Sequence, residues 1–185
     1  MCHSGVNQSS VNISHVPGVK LYNLKYNYLK APIRMINNTH TIHLSYHPGS
    51  YANLGNKRFQ LVQFHFHRPS EHLVDGAPYP MEISLVHKTP GHQYVLIRVF
   101  IQEGKYNPEI QKIWNQIPTE KNIEFNYENE LINLENLIPK TKEYFHYNGS
   151  LTTPLCSENL SWFLLETPIE ISKEQILHFV KIYQA

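Results

Sequence analysis

The segment Phe59 to His67 ends in Val62-Gln63-Phe64-His65-Phe66-His67, which alternates apolar and polar side chains residue by residue. That period of two is the signature of a strand. It predicts Val62, Phe64 and Phe66 on one face and Gln63, His65 and His67 on the other, with Pro69 ending the element. An apolar strand face needs another layer to bury it, so a sheet is expected around this segment. Similar patterning marks Thr39 to Tyr46, with Ile42 and Leu44 opposite His43 and Ser45. Met81 to His87 and Tyr94 to Ile101 read as two further strands joined by the turn-like Thr89-Pro90-Gly91-His92, and Trp162 to Leu165 as a short one. The 12 Tyr, 8 Phe and 2 Trp in 185 residues suit pleated surfaces. Two helices stand out. Asn107-Pro108 offers an N-cap with proline at the first helical position, followed by the stripe Ile110, Ile113, Trp114 and Ile117 and stopped by Pro118. Ser172 and Gln175 form a capping box ahead of Ile176, Phe179, Val180 and Tyr183. The expected fold is mainly β with peripheral helices, in one domain over residues 1–185.

A formal charge of +1, from 16 basic and 15 acidic residues, argues against nucleic-acid binding, which needs a concentrated basic surface. No apolar run approaches the ~18 residues of a membrane span. The start, Met1-Cys2-His3-Ser4-Gly5, lacks the basic-then-apolar pattern of a secretory signal. The chain is therefore expected in the cytoplasm if Met1 is the true start, or in the periplasm or outside the cell if a leader precedes it. Two cysteines, Cys2 and Cys156, fit either two free thiols or one bridge closing nearly the whole chain.

On a strand, His65 and His67 point the same way about 7 Å apart, and two imidazoles on one face can converge on zinc. Their surroundings add Ser70-Glu71-His72, Asp75-Gly76, and Tyr79-Pro80-Met81-Glu82-Ile83-Ser84-Leu85-Val86-His87. Further along come Tyr147-Asn148-Gly149-Ser150-Leu151-Thr152-Thr153-Pro154 and Trp162, and near the start Gly5-Val6-Asn7-Gln8-Ser9-Ser10. In order and spacing these motifs resemble the α-class carbonic anhydrases, in particular the secreted bacterial ones. The resemblance implies a large, twisted, mostly antiparallel central sheet. It also implies a carbonate dehydratase, a zinc lyase that hydrates CO2 reversibly to bicarbonate with zinc-bound hydroxide. His65 and His67 match two zinc ligands, Gln63 the partner of the first ligand, and Glu82 the carboxylate that orients the third. Glu71 and Thr152 match the carboxylate–hydroxyl pair that orders the hydroxide, and His40 matches the proton shuttle. Val86, Leu96, Leu151, Thr153 and Trp162 match the CO2 pocket. Cys2 and Cys156 fall where the secreted members place a disulfide. The family's N-terminal aromatic segment has no counterpart, so an N-terminally truncated copy is expected.

Two departures bear on the chemistry. The third zinc ligand of the family corresponds to Ser84, and His87 has the wrong strand parity to replace it. A glycine position of the family is Arg98, which shares parity with Leu96 and should point inward. There it either fills the vacated space and pairs with Glu82 or reaches out to solvent. Arg68, also unusual for the family, is expected to point away from the ligands. Two readings follow: a carbonic anhydrase weakened at the metal, or a catalytically silent domain of the same fold kept for binding.

Overall fold

The computed structural model describes residues 9–14, 24–141, 143–150 and 160–183. The strands are β1 (Asn12–Ile13), β2 (Leu24–Asn27), β3 (Ala31–Asn37), β4 (Ile42–Ser45), β5 (Tyr51–Leu54), β6 (Lys57–His67), β7 (Leu73–Val74), β8 (Ala77–Pro78), β9 (Met81–Lys88), β10 (Tyr94–Glu103), β11 (Glu124–Ile132), β12 (Tyr144–Gly149) and β13 (Leu160–Ile171). The helices are α1 (Pro108–Asn115) and α2 (Lys173–Tyr183), with a short 3-10 turn at Leu134–Leu137. Ten strands form one sheet in the order β11-β3-β4-β6-β9-β10-β13-β12, with β5 joining β2 to β6. All pairs in it are antiparallel except β10 with β13. β1, β7 and β8 form a small separate sheet. The mainly β, mostly antiparallel fold is as expected.

The two faces of the central strands do different work. From β6, Phe64 and Phe66 pack with Ile83 and Leu85 of β9, Ile97 and Val99 of β10, and Phe163 of β13. The stripe Ile110, Ile113 and Trp114 of α1, with Phe179 of α2, covers that face. The opposite face carries a smaller cluster of Val86, Leu96, Phe100, Leu160, Trp162 and Leu164, with polar residues among them. Every residue of β9 from Met81 to His87 is buried, because both faces of this central strand are covered.

Val62 does not share the core face with Phe64 and Phe66. The β6–β9 register shifts between Leu61 and Gln63, and Val62 packs on the smaller cluster instead. A bulge inserts one residue and reverses the parity upstream of it, so Phe59 and Leu61 take the core side. Both helix starts match expectation. The Asn107 side chain accepts from the backbone N–H of Glu109 and Ile110. Ser172 N–H donates to Gln175 Oε1 at 3.1 Å, and Gln175 N–H donates to Ser172 Oγ at 3.3 Å.

Candidate functional site

Register across β4, β6, β9 and β10 builds the site in rows. His43, His65, Ser84 and Arg98 are direct cross-strand neighbours, in that order. One row over, Gln63, Val86, Leu96 and Trp162 follow one another across β6, β9, β10 and β13. On the other side His67 lies opposite Glu82. Side chains directly opposite one another stand roughly 4.5–5.5 Å apart at Cβ. The two His-x-His imidazoles therefore share a patch with residue 84, and Arg98 flanks that residue on its far side.

All of these residues except the fully buried Glu82 line a cavity of about 530 Å³. Val86, Leu96 and Trp162 form its apolar wall, and His40 stands exposed at its mouth. Arg68 lines this cavity too, contrary to expectation. It follows the last strand residue, where the alternation of β6 no longer governs direction. Leu151, Thr152, Thr153, Cys2 and Cys156 lie outside the described residues.

Gln63 Oε1 lies 3.0 Å from His65 Nδ1. An amide oxygen only accepts, so Nδ1 carries the proton and Nε2 keeps its lone pair. His67 Nδ1 lies 3.4 Å from Glu71 Oε1, while its buried Nε2 has no hydrogen-bond partner among the described residues. Burial, then the charge of Arg98, then His43 push the His65 imidazolium down to about 2. Burial and Arg98, followed by the neighbouring imidazoles, lower His67 as well. Both rings are thus neutral donors at any ordinary pH.

Of the two courses open to Arg98, the structure shows the pairing with Glu82, and it extends further. Arg98 is 1% exposed. Its Nη1 donates to Glu82 Oε1 at 2.9 Å and its Nη2 to Glu71 Oε2 at 3.0 Å. The guanidinium carbon sits 4.8 Å above the Trp162 ring. Burial alone would raise the Glu82 carboxyl. Arg98, then His72 and the Glu71 backbone N–H, outweigh that and hold it below the usual carboxylate range. Ser84 Oγ is buried and unpartnered among the described residues. His87 is on the core side, 2.8 Å from the Tyr28 hydroxyl, as its parity requires.

Sequence reasoning did not single out three neighbours. His43 stacks on His65 with ring centroids 4.7 Å apart. His72 sits behind Glu82, 3.4 Å from its Oε2, and Tyr147 contacts His72 Nε2 at 2.7 Å. His43 had the right parity, but its pairing partner depends on the β4–β6 register, which a single strand pattern does not contain.

The family model for eukaryotic-type carbonic anhydrases matches residues 1–185. The chain belongs to the eukaryotic-type carbonic anhydrase family. It is 40% identical to a carbonic anhydrase of Nostoc over 85% of this chain and 60% of that one. It is 35% identical to one from Pectobacterium carotovorum over 98% and 74%. A hyperthermostable carbonic anhydrase from a hydrothermal vent chimney superposes with a TM-score of 0.91 at 44% identity, covering 98% of this chain and 81% of that one. The Thermovibrio ammonificans α-carbonic anhydrase, solved with sulfanilamide, gives 0.91 at 36%, covering 97% and 80%.

Carbonic anhydrases of this class are zinc enzymes. The buried Nε2 of His67, unpartnered among the described residues, and the Nε2 lone pair of His65 suit a soft-to-borderline divalent ion. Donor atoms of His67, Glu71 and Glu82 lie within 4.8 Å of one another. The residues present thus fit Zn²⁺ through two imidazoles rather than three.

Proposed function

We propose that this pocket acts as a carbonic anhydrase of reduced rate, interconverting CO2 and bicarbonate within a single domain. The observation that carries the reading is the strand register that sets two neutral imidazoles beside an apolar wall in one cavity. His65 and His67 would hold Zn²⁺, which when bound supplies a water of lowered pKa. Gln63 fixes the tautomer and ring orientation of His65. Val86, Leu96 and Trp162 offer a dry surface to a small apolar substrate. His40, exposed on the lining of the cavity, would pass the released proton to solvent.

Two features lower the rate. Ser84 supplies no third imidazole. Glu71, whose match in the family orders Thr152, has one oxygen on Arg98 and the other facing His67. The setting proposed is an oxidising one, periplasmic or extracellular, following the match of Cys2 and Cys156 to the bridge of secreted members. Thiol titration of denatured, unreduced protein should then find no free thiol, and two free thiols would refute it.

The functional test is stopped-flow CO2 hydration by the zinc-reconstituted chain. The expected result is a rate above buffer that is lost with chelator and with sulfanilamide, the ligand of the Thermovibrio relative. Zinc-loaded protein no faster than buffer would overturn the reading and leave the silent, binding form of the fold.

A further inference from the structure

We propose that Arg98 is the resident cation of this pocket, competing with Zn²⁺ for it, so that the metal binds only when the guanidinium is displaced. This rests on zinc being the ion the pocket takes, and it concerns how the chain controls that occupancy.

Arg98 is a neighbour of Ser84 across β9 and β10, and Ser84 in turn of His65. The short serine leaves the space beside it open, and the arginine stem crosses there to the two carboxylates. Its planar fork spans them, one arm on Glu82 and one on Glu71. The Trp162 ring supports its face. Glu82 Oε1 also accepts from the Glu71 backbone N–H at 3.1 Å, which ties the Glu82 carboxylate to the segment that carries Glu71.

The same two carboxylates, with His67, are the cluster whose donor atoms converge closely enough for a metal. One guanidinium and two carboxylates leave the floor with a single negative charge. Zn²⁺ beside an undisturbed Arg98 would turn that into a net positive charge in a buried place. Zn²⁺ in place of Arg98 leaves it neutral. Like charges at such short range in a low-dielectric setting repel strongly, so the two cations exclude one another. The chain has in effect a permanent, covalently tethered cation where a removable one could otherwise bind.

The test uses the full chain and Zn²⁺ alone, with affinity measured against a chromophoric chelator. Arg98→Gly should bind zinc at least ~10-fold more tightly than the parent, on the scale of other changes next to metal ligands. If that variant does not fold, Arg98→Gln serves in its place with the same expectation, since it removes the charge and keeps a polar side chain of intermediate length there. Zinc-soaked crystals of the parent should show Arg98 off both carboxylates wherever zinc sits on His65 and His67. Equal affinity in parent and variant, or zinc on the imidazoles with Arg98 still on Glu71 and Glu82, would overturn the proposal. Neither readout involves activity. Tight zinc binding by the variant without CO2 hydration would defeat the functional reading while leaving this one standing.

Discussion

Arg98 and Glu82 cannot be separated without cost. Both are buried, at 1% and 0% exposed, and the carboxylate is held ionised chiefly by that guanidinium. Removing one member of a buried ion pair leaves an uncompensated charge, a loss of about 3–5 kcal/mol. In zinc-free buffer Arg98→Gly should therefore lower the urea-unfolding free energy by roughly 3 kcal/mol. Adding Glu82→Gln to that variant should recover much of it, and a simple sum of the two single losses would mean the pair is not coupled. His87 gives a second residue-level expectation. Burial pushes its imidazolium from 6.5 down to about 4, and Tyr28 holds it in place. Below pH 6.5 the unfolded chain takes up a proton at this site that the folded chain refuses. Stability from this group is thus complete above pH 6.5 and falls as pH drops towards 4, by about 3 kcal/mol across that window. In His87→Gln the unfolding free energy should depend less steeply on pH between 6 and 4, with no change of slope above 7. An unchanged slope below 6 would assign the acid sensitivity to other groups.

At the scale of elements, the caps and the central strands were legible because they are local. Asn107-Pro108 and the Ser172–Gln175 box form the expected helix starts, each closed by its own side-chain bonds. Asn107 also links the two helices: its backbone N–H donates to Gln175 Oε1 at 3.0 Å. Asn107→Ala should cost about 1 kcal/mol by removing the cap. Thermal unfolding should register that loss while zinc affinity stays at the parent value. β3 and β11 escaped the pattern for physical reasons. In β3, Pro32 reads as a strand breaker, and apolar Ile36 on the less buried face with polar Asn37 on the buried one blurs the alternation. β11 lies at a sheet edge and is mostly exposed, so burial does not impose an apolar period on it. The β6 bulge escaped for a different reason, since an inserted residue is defined only by the partner strand. The candidate ligands survived this error because they lie downstream of it. Arg68 fared otherwise, because strand parity ends with β6.

Across the whole molecule, the site depends on residues far apart in sequence that the sheet brings into one row. His43, His65, Ser84 and Arg98 come from four strands, and only the complete order β4-β6-β9-β10 makes them neighbours. That scaffold superposes on solved carbonic anhydrases over nearly the full chain. On that frame the substitutions that bear on the metal are Ser84 and Arg98, and the register predicts a repair. Residue 84 lies directly opposite His65 and two residues along from Glu82, on the same sheet face. An imidazole there would be aimed at the same space as His65 and His67 and would complete three nitrogen donors with one position open. Glu82, freed from Arg98, could accept from that imidazole and fix its tautomer. Ser84→His alone should gain little, because the new ring would meet the guanidinium beside it and the charge would still oppose Zn²⁺. Ser84→His with Arg98→Gly should bind about one zinc per chain and hydrate CO2 faster than the parent and than either single variant. Zinc content by elemental analysis and stopped-flow hydration, taken on the same preparations, decide the matter. A folded double variant with full zinc and no gain in rate would move the limitation from the metal to the groups around it. A folded double variant without zinc would show that the frame does not hold residue 84 where its register places it.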